Sequence, residues 1–96
     1  MSKIRAYWIP TDGECRVIEI DNTLAAFQKA VGGYIETVTV TEGLVFIVNE
    51  EGLLLELPFN RHLGGIVGDA LLVGVEGDEF RSLTDRELNV ARRFVG

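Results

Sequence analysis

Six short segments rich in apolar and β-branched residues set the strongest limit on what this chain can fold into. Each is bounded by turn-forming residues, a pattern that is typical of β-strands. Strands joined by tight turns pair antiparallel, because parallel strands need a long crossover connection. We therefore predict a mainly antiparallel sheet of five to six strands. The predicted strands are residues 3–9, 14–20, 34–41, 44–48, 53–57 and 70–75.

Turn residues between these segments predict which strands are neighbours. Residues 10–13, Pro-Thr-Asp-Gly, indicate a tight turn that joins the first two strands as a hairpin. Glu42-Gly43 turns the chain again, and residues 49–52 have the composition of a type I turn with a glycine. The simplest arrangement of residues 34–57 is a three-stranded meander, in which strand 44–48 is central because it is apolar on both faces. The stretch from Pro58 to Asp69 follows neither period and is predicted to be irregular.

A first helix is predicted between the second and third strands. Leu24, Phe27 and Val31 are spaced as one face of a helix. Residues 21–23 offer three N-cap candidates before it, and Gly32-Gly33 supplies a left-handed stop after it. This helix spans two to three turns.

The C-terminal helix has the clearest local signal in the chain. Thr84 and Glu87 have the spacing of a capping box, in which each residue bonds the backbone amide of the other. Leu88, Ala91 and Val95 repeat at helical spacing and form an apolar face. We predict that this helix packs on a face of the sheet, and that residues 1–96 form a single α+β domain.

Length and charge exclude several classes of protein. Ninety-six residues fit one domain, and nine basic against fifteen acidic residues give a net charge of −6. This sign disfavours stable binding to nucleic acid or to an anionic membrane. Cys15 is the only cysteine, so neither an internal disulfide nor a four-ligand zinc site is expected. Because no apolar run approaches the roughly 18 residues of a membrane span, we expect a cytoplasmic protein. We expect it to hold neither a metal nor a cofactor.

Candidate catalytic groups are few. Cys15 falls within a predicted strand and Ser82 just before the capping box, and neither has the glycine-flanked context of an activated nucleophile. A lone cysteine is most often a small core residue, and we favour that interpretation for Cys15. The acidic pairs at 50–51 and 78–79 lack the spacing of a calcium loop and are predicted to be solvated turn tips. We therefore predict a protein that is not an enzyme.

One irregular segment carries a candidate binding site. Asn60, Arg61 and His62 place an amide, a permanent cation and a titratable ring side by side. Arginine is well shaped to hold phosphate or carboxylate. If Arg81 and the aromatic ring of Tyr34 lie nearby in space, the set would form a small pocket for an anion and a ring. The alternative is an exposed loop whose charged side chains are simply solvated.

Several short motifs, in a fixed order, resemble those of a known family. They lie at residues 31–36, 48–52, 57–61, 68–74 and 80–85, from Val-Gly-Gly-Tyr-Ile-Glu to Phe-Arg-Ser-Leu-Thr-Asp. The chain resembles a family of small proteins of unknown function carried by phages, plasmids and other mobile elements. The resemblance implies an origin in a mobile element, and it implies no enzymatic activity and no catalytic residues.

That resemblance leads to a hypothesis about function. Small phage proteins without catalytic groups often act by binding a host component, so we predict a binding protein that interferes with host defence or regulation. In its sharpest form the chain would sequester a nucleotide immune signal. Arg61 and Arg81 would then hold phosphate, Asn60 and Ser82 would bond a base or ribose, and Tyr34 would stack. A homo-oligomer is expected in that case, because an interface readily creates a pocket.

A second hypothesis belongs to a different class. The chain would inhibit a host enzyme by binding it through an acidic face, which could mimic nucleic acid, or through the edge of its sheet. An edge strand presents backbone groups ready to pair with another chain. The alternative explanation of the acidity is that it keeps an ordinary domain soluble.

Overall fold

Strands and helices of the predicted kinds follow one another along residues 2–95, which are the residues described by the computed structural model. The α+β fold class, the antiparallel sheet and the two helices are confirmed. In chain order the elements are β1 (Lys3–Ile9), β2 (Arg16–Asp21), α1 (Leu24–Val31), β3 (Ile35–Thr41), β4 (Leu44–Asn49), β5 (Ala70–Glu76), β6 (Glu79–Arg81) and α2 (Asp85–Phe94).

The sheet has six antiparallel strands with β5 in the middle. Its order is β2-β1-β5-β4-β3, and β6 pairs with β5 outside this path. β1 and β6 share one side of β5: Tyr7 lies opposite Leu72 near the start of β5, and Arg81 lies opposite Gly74 nearer its end. β4 is therefore an interior strand, as its two apolar faces predict, because β3 and β5 lie on either side of it.

Both faces of the sheet are covered by apolar packing, because side chains alternate along each strand. We call the two faces the α1 side and the α2 side after the helix that each one packs against. On the α1 side the buried cluster is Ile4, Ala6, Phe27, Val31, Val45, Ile47, Leu71 and Val73. On the α2 side it is Tyr7, Ile9, Val48, Ala70, Leu72, Leu83, Leu88 and Ala91. The prediction that the C-terminal helix packs on a sheet face is thus confirmed.

The helix ends follow the predicted capping chemistry. Thr23 caps α1 by accepting a hydrogen bond from the Ala26 amide at 3.2 Å, and Gly32 ends the helix at φ 83°. Both bonds of the capping box at Thr84 and Glu87 are present, at 2.9 and 3.1 Å. Within residues 2–95 no helix is long and apolar enough to cross a membrane.

The predicted strand at residues 53–57 is wrong, and so is the three-stranded meander that contains it. Residues 51–56 form successive turns, in which the Leu55 amide bonds the Glu51 carbonyl and the Leu57 amide bonds that of Gly52. A short apolar run cannot be assigned to strand or helical turn by its pattern alone, and leucine favours helical conformations. β5, which comes later in the chain, takes the place beside β4.

Two smaller predictions are also corrected. Cys15 does not lie within a strand, because β2 begins only at Arg16. Residues 79–81 form the short strand β6, whereas the sequence pattern assigned Glu79 to a turn and left the next two residues unassigned. Three residues are too few to show a period in the sequence.

Candidate functional site

The two ends of the sheet separate the six predicted site residues into two groups. One end, which we call the Asn49 end, holds the end of β1, the start of β5 and the start of β3. The opposite Arg81 end holds β6 and the turn between β3 and β4. β4 joins the two ends with six residues, so at about 3.3 Å per residue they lie about 20 Å apart. The six residues therefore do not form one pocket within a single chain.

Asn60 is a buried anchor at the Asn49 end. Its amide nitrogen donates to the Ile9 carbonyl at 3.0 Å and to the Gly68 carbonyl at 3.1 Å, and its oxygen accepts from the His62 amide at 2.9 Å. Only 4% of the residue is exposed. Both amide hydrogens are used inside the protein, so the structure does not present Asn60 to a ligand as the sequence pattern predicted.

Arg61 and His62 fasten the irregular segment to the turn between β1 and β2. The Arg61 guanidinium bonds Asp12 at 2.8 Å, and Nε2 of His62 lies 2.8 Å from the Gly13 carbonyl oxygen, to which it donates. The hydrogen bond from Arg61, with a further one from the Gly13 amide, holds the pKa of the Asp12 carboxyl below its usual value. Both side chains line a shallow depression of about 480 Å³, which Asp12 and Glu14 also line.

Arg81 and Ser82 have structural contacts at the Arg81 end. The guanidinium of Arg81 pairs with both oxygens of Glu87, at 2.9 and 3.1 Å, and donates to the Ser82 carbonyl at 3.0 Å. The Ser82 hydroxyl accepts from the Arg5 amide at 2.9 Å. These bonds tie β6 to β1 and to α2, and they place Arg81 in a pair that is less than one-third exposed.

Tyr34 lies immediately before β3, at the Asn49 end. The residue is 65% exposed, and its carbonyl accepts a hydrogen bond from the Glu50 amide at 2.8 Å. Arg61 lies at the same end of the sheet, next to the turn between β1 and β2 at the other side of the strand order. Tyr34 and Arg61 therefore share an end of the sheet, and Arg81 shares it with neither.

Cys15 is half-buried against the α2-side cluster, as expected for a small packing residue. Burial raises the pKa of its thiol, which keeps it in the less reactive protonated form. Among residues 2–95 no three side chains of histidine, cysteine, aspartate or glutamate are grouped closely enough to hold a metal ion.

An exposed apolar surface follows β4, at residues where a strand was predicted. We call it the leucine surface: Leu53, Leu54, Leu55 and Phe59, whose exposed fractions are 77%, 81%, 54% and 76%. Beside it lies a groove of about 420 Å³, which we call the Leu54 groove. Monomeric soluble proteins rarely expose large contiguous apolar patches, and such patches mark interaction sites.

Acidic side chains surround the Leu54 groove. Glu36, Glu50 and Glu51 line it, and none of the basic side chains among residues 2–95 does. The charge extends beyond the groove, because residues 30–60 contain five glutamates and no lysine, arginine, histidine or aspartate. The remaining residues hold ten acidic and nine basic side chains, a net charge of −1. Five of the six net negative charges are thus concentrated in the β3–β4 hairpin and the segment that follows it.

Comparison with known proteins places the chain in a family. The model of a domain of unknown function, DUF3846, matches residues 4–95. The chain belongs to the DUF3846 family. This confirms its resemblance to a family of unknown function, and family membership assigns no activity. No curated protein and no solved structure is significantly similar to this DUF3846 chain.

The leucine surface of the DUF3846 chain was not predicted from its sequence. The sequence pattern assigns the three consecutive leucines between Gly52 and Glu56 to the strand 53–57 of the three-stranded meander. A second signal was available in the distribution of charge, because the span without basic residues contains the same leucines. Together, an apolar run and surrounding charges of a single sign indicate a surface that binds a partner.

Proposed function

We propose that this DUF3846 chain is a non-catalytic protein-binding domain that acts by covering a surface of a host protein, with the leucine surface and the Leu54 groove as its contact site. The exposure of Leu53, Leu54, Leu55 and Phe59 is the observation that carries the proposal. Interference with host defence or regulation is the role that its resemblance to proteins of mobile elements favours.

The energetics of exposed leucine support this proposal. Moving one leucine side chain from water into an apolar contact contributes about 1.5–3 kcal/mol. The apolar core of the chain forms two buried clusters, whereas the four large side chains of the leucine surface are held in water and forgo a large part of that energy. A partner that buries these side chains recovers that energy.

The chemistry of the reactive groups agrees with a non-catalytic role. The Cys15 thiol is half-buried with a raised pKa, and the ring of His62 is bonded to the Gly13 carbonyl. A nucleophile needs a neighbouring base and an open approach for substrate. Neither residue lies in the Leu54 groove.

Sequestration of a nucleotide is the second candidate, and the exposure of Arg61 favours it. The Arg61 side chain is 68% exposed and lines the depression near Cys15 with His62. A phosphate bound there would replace Asp12 as the partner of Arg61 and would lie close to the carboxylate of Glu14. Repulsion from these carboxylates makes this candidate weaker than the protein-binding one.

Site-specific crosslinking separates the two candidates. The photo-crosslinking residue p-benzoyl-phenylalanine is introduced at position 54 and, as a control, at position 24, an exposed leucine at the start of α1. After irradiation in host cells we expect one host protein to be joined to position 54 and not to position 24. A chain that gives no adduct specific to position 54, and that releases an intact nucleotide on heating, would contradict protein binding and favour sequestration.

A further inference from the structure

We propose that the partner contributes an extended, basic segment, which adds as a further strand to the outer edge of β3 and places lysine or arginine side chains against Glu36, Glu50 and Glu51. This inference rests on the proposed protein-binding function and specifies the chemistry of the partner. Three observations carry it: an open strand edge, the phase of its hydrogen bonds, and the charge around it.

The open edge is β3, the last strand of the sheet order. Among residues 2–95 no strand lies on its outer side. Six of its seven residues are exposed and the seventh is half-buried. A strand of seven residues is about 23 Å long. Its sequence, Ile-Glu-Thr-Val-Thr-Val-Thr, is rich in the β-branched residues that favour strand pairing.

The phase of hydrogen bonding shows which backbone groups point outward. The Glu50 amide donates to the Tyr34 carbonyl, so the backbone N–H and C=O groups of residue 34 point toward β4. Backbone direction alternates along an antiparallel strand. The N–H and C=O groups of Ile35, Thr37 and Thr39 therefore point away from β4, and these are the groups that an added strand would bond.

The other sheet edge is better protected against pairing. β2 carries Arg16, Glu19 and Asp21 among its six residues, and Asp21 also pairs with Lys3 at 3.2 Å. β3 carries a single charge, Glu36, among seven residues. Charged side chains on an edge strand are a common defence against unwanted pairing. β3 lacks most of this defence, which favours a role for its edge in binding.

Charge selects the kind of segment that would bind. Glu36 lies opposite Val48 on the α2 side of β3 and lines the Leu54 groove together with Glu50 and Glu51. A strand added to β3 would direct alternate side chains toward that side, so basic residues at those positions would approach three carboxylates. A second copy of this chain is disfavoured, because its β3 edge would bring another surface of charge −5 to the same place.

The test begins with the intact chain and a displayed library of random twelve-residue peptides. We expect selection to enrich peptides that alternate basic with apolar or β-branched residues. Their affinity should fall at least tenfold between low and high salt, because exposed charge pairs are screened. Enrichment of acidic or uncharged peptides would overturn the inference, as would enrichment of none.

Two pairs of variants then locate the binding edge. Thr37→Pro removes an outward N–H without removing a bond to β4, and Thr37→Val keeps that N–H as its control. We expect at least a tenfold loss of peptide affinity with proline and less than a twofold change with valine. Equal affinities would contradict pairing at β3.

A charge series provides the second pair and keeps the test decisive if the proline variant does not fold. Replacing Glu36, Glu50 and Glu51 with glutamine should lower the affinity of the chain for the basic peptides at least tenfold. Neutralising three acids that do not line the Leu54 groove, Glu19, Asp78 and Glu79, removes the same charge and should change affinity less than threefold. Similar losses in both variants would show a non-specific effect of net charge and overturn the inference.

Failure of this inference is distinguishable from failure of the proposed function. Crosslinking of a host protein at position 54 that is unaffected by Thr37→Pro and by the triple glutamine variant would keep the protein-binding function and reject strand addition. Dimerisation of the chain that Thr37→Pro abolishes would assign the β3 edge to a second copy instead. Absence of any adduct at position 54 would reject the proposed function itself.

Discussion

Replacing Gly74 with alanine should destabilise this protein, because the new methyl group would occupy space that the Arg81 side chain now fills. Gly74 is buried in β5 and lies directly opposite Arg81 of β6. A Cβ atom at position 74 would lie 2.6 Å from Cζ and 2.9 Å from Cγ of Arg81. Real Cβ contacts are not this short, so the arginine would have to leave its position.

The magnitude follows from the bonds that Arg81 would lose. Its guanidinium makes two hydrogen bonds to Glu87 and one to the Ser82 carbonyl. Loss of a partly buried, charge-assisted pair costs about 1.5–3 kcal/mol, and both side chains are less than one-third exposed. We expect Gly74→Ala to lower the free energy of unfolding by about 2–3 kcal/mol, which for a domain of this size lowers Tm by roughly 10–20 °C.

A double-mutant cycle measured by urea unfolding checks this reasoning. Arg81→Ala removes the atoms that the new methyl group would meet. In that background Gly74→Ala should change the free energy of unfolding by less than about 0.5 kcal/mol, because the arginine side chain that the new methyl group would clash with is absent. If Gly74→Ala costs the same in both backgrounds, the clash with Arg81 is not the cause of the destabilisation, and the reasoning is refuted.

Three other substitutions test separate contacts of the same structure. Glu87→Gln keeps the capping box with Thr84 but removes the charge that pairs with Arg81. The hydrogen bond from Arg81 is the main cause that holds the pKa of Glu87 below its usual value, so the variant should lose about 1–2 kcal/mol at neutral pH. In pH-dependent unfolding experiments this loss should shrink as pH falls from the usual carboxyl value of 4.5 and should disappear only below the lowered pKa of Glu87. Asn60→Ala should lower the free energy of unfolding by about 2–3 kcal/mol, because two buried carbonyls lose their donors; an unchanged urea midpoint would contradict its role as an anchor. Leu54→Ser should change the free energy of unfolding by less than about 0.5 kcal/mol, since the side chain is exposed, while it weakens any adduct formed from the leucine surface; a large loss of stability would show that Leu54 has a structural role.

Local signals in the sequence predicted the local parts of this fold well. The capping box at Thr84 and the left-handed stop at Gly32 depend on residues within one turn, and both are confirmed. The place of β5 between β1 and β4 depends on pairing with a strand some sixty residues earlier, and no pattern within either segment encodes that pairing. The strand predicted at residues 53–57 is wrong for a related reason, because an apolar run does not reveal whether another element covers it.

The candidate site was predicted less well, for physical reasons that apply to each residue. Asn60 has the chemistry of a ligand contact, but the same amide is also suited to bond buried carbonyls, and burial decides between these roles. Arg81 was grouped with Arg61 by residue type, whereas the antiparallel topology places them at opposite ends of the sheet. The acidic span and its leucines were visible in the sequence, but their exposure became apparent only with the fold.

The central position of β5 also affects the order in which the chain acquires its structure during synthesis. Both buried clusters need residues of β5, which follows the leucines in the sequence and therefore leaves the ribosome after them. Neither cluster can be completed until β5 has emerged, so the leucines become accessible while the core is still incomplete. A chaperone or a partner that recognises these leucines can therefore bind them before the domain has folded.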